Sequence, residues 1–426
     1  MKTLKTIFSI TLLLIGLSSC MDEYTEEFTA NKPIYLSYEK LRSAVKFSEA
    51  RDLVNPGKIY FKDGYLFINE AFEGVHVIDN STPEDPTNIG FIEIPGNVDM
   101  AIKENILYAD SYVDLVAIDI SNINQPVEVG RVERILPYTL PTYDNNYRIA
   151  DVDEDKGVVI DWEITTVRQE MEYHYYPYYF TAKYDYAMMD GAVNSAGGGS
   201  GSTFGIGGSM ARFGMYDDYL YVVDQSNLHI LDITETDNPQ DIGKQNVGWD
   251  VETMFIYDDH MFFGTRSGMR IFSLEVATVP TYVSDFWHIT SCDPVVISNG
   301  YAYITLRGGN DCGSTVNRLD VLQLSSDYVD NTLVGSYPLH GPYGLGIDDE
   351  VLFVCDGDAG LKVYDFSDKT QINNHMISSF PGINAYDVIP FEDYLFMIGD
   401  DGFYQYDYSD LQNIRQVSFI PVLLEQ

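Results

Sequence analysis

Residues 352–366 read LFVCDGDAGLKVYDF. Two carboxylates and a thiol on a glycine-rich turn have the makings of a metal site or an activated nucleophile, yet the same letters spell strand, turn, strand. The rest of the chain decides between these readings, because the pattern recurs. The pair Leu352-Phe353 leads to a Gly/Asp turn and then to an alternating segment ending at Asp365. Corresponding pairs are Leu66-Phe67, Leu107-Tyr108, Leu220-Tyr221, Phe262-Phe263, Ala302-Tyr303 and Leu395-Phe396. The corresponding ends are Asp79, Asp119, Asp232, Ser273, Gln323 and Asp407.

With Asp365 included, these ends are 40, 113, 41, 50, 42 and 42 residues apart. The long gap is one period of about 41 plus roughly 72 inserted residues, which leaves seven units. The segments alternate apolar and polar residues and are rich in Val, Ile, Tyr and Phe. Turn pairs such as Asp63-Gly64, Asp217-Asp218, Asn299-Gly300 and Asp401-Gly402 separate them, so each unit reads as strands. A small sheet cannot bury both faces alone, whereas stacking sheets radially buries them and leaves short edges. The prediction is all-β: a seven-bladed β-propeller of four-stranded blades over residues 57–424, with a long insertion, residues 136–208, between the second and third blades.

The third-strand phrases GVHVIDNS (74–81), LVAIDISN (115–122), LHILDITE (228–235) and LKVYDFSD (361–368) resemble the LVIVD repeat of β-propeller lipoproteins from Gram-negative bacteria. GSMARF, CDPVV and AYITL are similar to that family too. The resemblance implies a fold and a location, and no defined activity.

The N-terminus supports the same location. MKTLKTIFSITLLLIGLSSC carries Lys2 and Lys5, then an apolar run too short to span a bilayer, then small residues before Cys20. Residues 1–19 read as a lipoprotein signal peptide and Cys20 as the lipidated residue. Residues 20–56 read as the lipidated cysteine and an N-terminal tether, which begins acidic and without evident structure over residues 21–27. Acids behind the cysteine resemble the export signal of surface-displayed lipoproteins, so the outer leaflet of the outer membrane is expected; the alternative is its periplasmic face. Losing the signal peptide removes two lysines and no acids, taking the formal charge from -40 to -42. Such a charge repels phosphate backbones and argues against nucleic-acid partners. With 45% hydrophobic residues against 21% charged, the chain has material for a packed core.

In a propeller, the loops entering the first strands and those between second and third strands share one end. That end should present Asp99, Trp249, Trp287, His288, Asp293, His340, Tyr343 and Asp387 as a ligand face. Cys292 and Cys312 fall at the same end of the fifth blade and are expected to form a disulfide worth about 3 kcal/mol. Cys355 is then odd, and reads as a small buried hydrophobe. Asp151-Val-Asp153-Glu-Asp155-Lys-Gly157 superficially resembles a calcium loop, but Lys156 and Trp162 stand where an EF-hand needs Gly and Glu. The better reading is a hairpin, YRIADVD turning at EDKG into VVIDWEI. In the insertion, Tyr175, Tyr176, Tyr178 and Tyr179 could stack on a glycan or meet a protein, or pack on the second or third blade.

No HExxH, CxxC, GxSxG or GxxxxGK[ST] occurs. No catalytic residue, metal site or cofactor is predicted. The expected function is a non-enzymatic cell-surface scaffold binding a protein or glycan. The alternative is a hydrolase or lactonase using Asp99, Asp293 and Asp387 at the channel mouth, although Lys58 and Arg212 occupy equivalent positions and could simply salt-bridge the channel. No dimerisation motif is present, so a monomer is expected.

Overall fold

The computed structural model describes residues 24–171, 180–182, 206–207, 212–224, 226–249, 251–287, 294–308 and 315–423. Cys20, the tyrosines Tyr175, Tyr176, Tyr178 and Tyr179, and His288, Cys292, Asp293 and Cys312 lie outside the described residues. The chain divides into two compact units. One comprises Met1–Ser37 and Leu140–Thr181, the other Tyr38–Thr139 and Ala182–Gln426.

The second unit contains, among the described residues, seven antiparallel sheets whose first four strands run in chain order. Their first strands are Pro56–Lys62, Met100–Lys103, Phe213–Tyr216, Val251–Tyr257, Val295–Ser298, Leu345–Asp348 and Ala385–Phe391. Each neighbours the first strand of the next sheet, and the last neighbours the first, which closes the ring of a β-propeller. Every first hairpin turns on a residue of positive φ, between 47° and 53°: Asp63, Glu104, Asp217, Asp258, Asn299, Asp349 and Glu392. Asp and Asn tolerate this conformation better than most residues, which is why the turn signals were readable.

The first sheet has six strands. Ile206–Gly207 pairs inside Pro56–Lys62, and Lys46–Ser48 pairs outside Thr87–Glu93. Residues Ile206–Gly207, at the end of the insertion, therefore join the first sheet. Cores fill the spaces between sheets. One of them joins Leu53, Ile59, Phe61 and Ile68 of the first sheet region to Tyr386, Ile389, Phe396 and Phe403 of the seventh.

The first unit corrects two expectations. Residues 24–36 of the supposed tether form a strand, Tyr24–Leu36, paired antiparallel with Val158–Met171. The strand shows a period-2 pattern: Thr25, Glu27 and Thr29 are exposed, while Glu26 and Phe28 are partly covered and Ala30 is buried. Arg148 supplies the cover, lying 3.7 Å over the Phe28 ring and 2.8 Å from Glu26 Oε1. The predicted hairpin is also not formed. Arg148–Ile149 runs parallel to Ala30–Asn31, so Tyr24–Leu36 sits between the two segments expected to pair with each other.

Candidate functional site

The upper end of the propeller is the end where first strands begin and where second strands turn into third strands. Lys58, Asp99, Arg212 and Asp387 immediately precede the apolar residues Ile59, Met100, Phe213 and Val388, so they hold equivalent places around the channel. Lys58 Nζ lies 3.1 Å from Asp99 Oδ2, and both side chains are almost fully buried. The same Oδ2 accepts the Arg212 backbone N–H at 2.6 Å. Arg212 reaches toward Asp110 at 3.6 Å. Asp387 is buried, and its Oδ1 accepts the Val388 N–H at 2.9 Å.

A second rule governs the acids that end the second strands. Asp110 Oδ1 accepts the N–H groups of Val98 at 2.7 Å and Asp99 at 3.0 Å. Asp356 Oδ1 accepts those of His340 at 2.8 Å and Gly341 at 2.9 Å. Glu70 accepts those of Val54, at 3.1 Å, and Asn55. In each case the carboxylate fixes the loop that enters its own sheet's first strand, satisfying donors that have no strand partner. Burial pushes the Asp110 carboxyl up against the pull of Arg212 and these N–H groups.

Some of these acids also meet a base three residues before the end of the third strand. His76 Nε2 lies 2.9 Å from Glu70, His229 Nε2 lies 3.1 Å from Asp224, and Lys362 Nζ pairs with Asp356. Arg270 holds the same place in the fourth sheet. It bonds Asp285 at 3.0 Å and the Val247 carbonyl at 2.7 Å. Sequence reasoning missed these pairs. The signal was available as a basic residue recurring at a fixed distance from the strand end.

The predicted face residues fare differently. Trp249 and Trp287 are 83% and 66% exposed. Val251, Thr265, Gly268 and Trp287 form one row across the fourth sheet, and Trp249 lies two residues before Val251, so both indoles emerge at the upper end. His340 Nδ1 contacts Asp358 Oδ1 at 2.7 Å in solvent. The Tyr343 ring lies under the Arg307 guanidinium, 4.0 Å away, and edge-on to Tyr386 at 5.2 Å. Cys355 is fully buried, and burial, with Asp387 and Asp356 nearby, pushes its thiol up. A thiol so held is a poor nucleophile. Among the described residues no group of three or more His, Cys, Asp or Glu side chains could hold a metal ion.

A model of the LVIVD repeat matches residues 96–134 and 207–244, which take in the second sheet and the third. The chain carries LVIVD repeats on a β-propeller. No curated protein sequence matches this propeller significantly. Among solved structures it is similar to the periplasmic gluconolactonase PpgL of Pseudomonas aeruginosa, at 8% identity and a TM-score of 0.52, over 89% of this chain and 98% of that one. It is also similar to a protein from Lactobacillus plantarum, at 9% identity and a TM-score of 0.50, over 87% and 97% of the two chains. At such identities the likeness speaks for the LVIVD propeller's fold.

Proposed function

We propose that the protein is a lipid-anchored, non-enzymatic scaffold at the outer-membrane surface whose upper propeller face binds a protein or glycan. The observation that carries this reading is the division of labour at that face. Glu70, Asp110 and Asp356 are engaged in bracing loops of the first, second and sixth sheets, while Trp249 and Trp287 stand open to solvent at the fourth. Exposed tryptophan suits recognition, since it offers a large rigid surface at small entropic cost. The anchor rests on the lipobox ending at Cys20, and a Cys20→Ser variant should leave the membrane fraction.

The test is affinity capture from solubilised outer membranes, together with a glycan array, using wild type and a Trp249→Ala/Trp287→Ala double variant. A stoichiometric partner or glycan held by wild type and lost by the variant is the expected result. Wild type that retains neither overturns the proposal. A hydrolase or lactonase reading has Asp110 on its side, a buried carboxyl with raised pKa beside Asp99 and Arg212, as catalytic acids often are. Lactone hydrolysis by wild type that disappears in Asp99→Asn and Asp387→Asn would establish it instead.

A further inference from the structure

We infer that Trp249 and Trp287 form one binding platform for a neutral glycan of equatorially substituted pyranoses, such as a β-1,4-glucan, on the upper edge of the fourth sheet. The inference rests on the scaffold reading and names a ligand class for its upper face. Both rings are open, at 83% and 66% exposure. Arg270 ties together the two segments that carry them. Its Nη1 donates to the Val247 carbonyl at 2.7 Å and its Nε to Asp285 Oδ1 at 3.0 Å. Each tryptophan stands two residues beyond one of these partners, about 7 Å of extended chain, so one oligosaccharide reaches both. The Trp249 segment is also fixed in itself. Asn246 Oδ1 accepts the Gly248 N–H at 3.2 Å, and a Cβ on Gly248, whose φ is 105°, would overlap the Arg270 guanidinium.

The surroundings select the ligand. The other large apolar side chains exposed on the fourth sheet and its loops, Val276, Val279 and Tyr282, lie toward the lower end, where Ser273 faces Thr281. At the upper end stand Asn246, Arg266 and Ser267, with amide, guanidinium and hydroxyl groups. A protein interface needs a contiguous apolar centre, which this edge lacks among the described residues. Separate aromatic rings among hydrogen-bonding groups suit a sugar instead, whose C–H face lies on the ring while its hydroxyls reach the polar groups. Equatorial substitution keeps that C–H face flat. Charge narrows the class further. A net charge of -40 repels an anionic glycan, and the two arginines at this edge are already taken, Arg270 by Asp285 and Arg266 by Glu252 at 2.9 Å. A neutral ligand is what remains.

Intrinsic fluorescence reads this site directly, because the chain has three tryptophans and the third, Trp162, belongs to the other compact unit, where its Nε1 donates to the Pro141 carbonyl at 3.0 Å. Cellohexaose titrated into the full chain in detergent is expected to shift the emission to shorter wavelength, with an affinity that does not change between low and high salt. Hexagalacturonate should bind at least tenfold more weakly. Trp249→Ala and Trp287→Ala should each lower the affinity for cellohexaose at least tenfold, and their thermal melts should match wild type, because both rings are exposed. No shift with cellohexaose, equal binding of hexagalacturonate, or single variants that keep the wild-type affinity and lose only part of the signal each overturns the platform. The scaffold reading is judged separately: a protein captured by wild type and lost by the tryptophan double variant upholds it even where cellohexaose fails.

Discussion

At the scale of single residues, the stretch that looked catalytic separates into two unlike carboxylates. Asp356 is fully buried, takes two backbone N–H groups and pairs with Lys362; Asp358 is 75% exposed and meets His340 in solvent. Asp356→Ala should therefore destabilise the fold by about 3 kcal/mol, since it strands a base and two donors. Asp358→Asn should change it by less than about 0.5 kcal/mol. Urea midpoints distinguish the two. Asp224 gives the corresponding pH dependence. Burial raises its carboxyl, but His229 and the N–H groups of Ser226 and Asn227 outweigh that and hold it at about 2. A folded pKa below the unfolded 3.8 means stability that is complete above about pH 4 and is lost as pH falls toward 2. The loss is about 2 kcal/mol, and Asp224→Asn should flatten the acid limb of the urea midpoint against pH over that window. The face carrying Trp249 and Trp287 was legible from loop position alone. The acid–base pairs were not, because they depend on which residues a ladder places opposite each other.

At the scale of elements, legibility followed sequence distance. The propeller strands pair with neighbours a few residues away across turns that announce themselves, so repeat spacing located them. Tyr24–Leu36 pairs instead with Val158–Met171, more than a hundred residues on, and nothing local names that partner. Its acids imitate a solvated tether, while the Glu26–Arg148 and Lys32–Glu163 pairs, at 2.8 and 2.9 Å, show what they face. Amides of residues 25–36 should exchange slowly in hydrogen–deuterium exchange, with protection comparable to Val158–Met171. Exchange as fast as an unstructured peptide would restore the tether. The broken hairpin has the same cause: Arg148–Ile149 and Val158–Met171 do form extended chain, as their pattern indicates, but a third strand enters between them.

At the scale of the molecule, the first and seventh sheets exchange no strand among the described residues, the first taking in only Lys46–Ser48 and Ile206–Gly207 besides its own four. The seam depends on a shared core, on the Leu423 N–H donating to the Leu53 carbonyl at 2.7 Å, and on buried Gln405 donating to Asn80 at 2.7 Å. Glu70 accepts the N–H groups of Val54 and Asn55, directly after Leu53, so one buried carboxylate also braces the seam. Removing Gln405 leaves Asn80 buried and unpaired beside a cavity. Gln405→Ala should therefore cost about 2–3 kcal/mol. The opposing force is the net charge of -40, which favours any expanded state. Raising salt from 10 mM to about 0.3 M shortens the Debye length from roughly 30 Å to less than 8 Å, screening long-range repulsion while leaving buried pairs such as Lys58–Asp99 almost untouched. The calorimetric Tm should consequently rise with salt in wild type, and by a similar increment from a lower start in Gln405→Ala. A Tm that falls with salt would mean that exposed ion pairs, rather than the buried seam and core, hold the ring together.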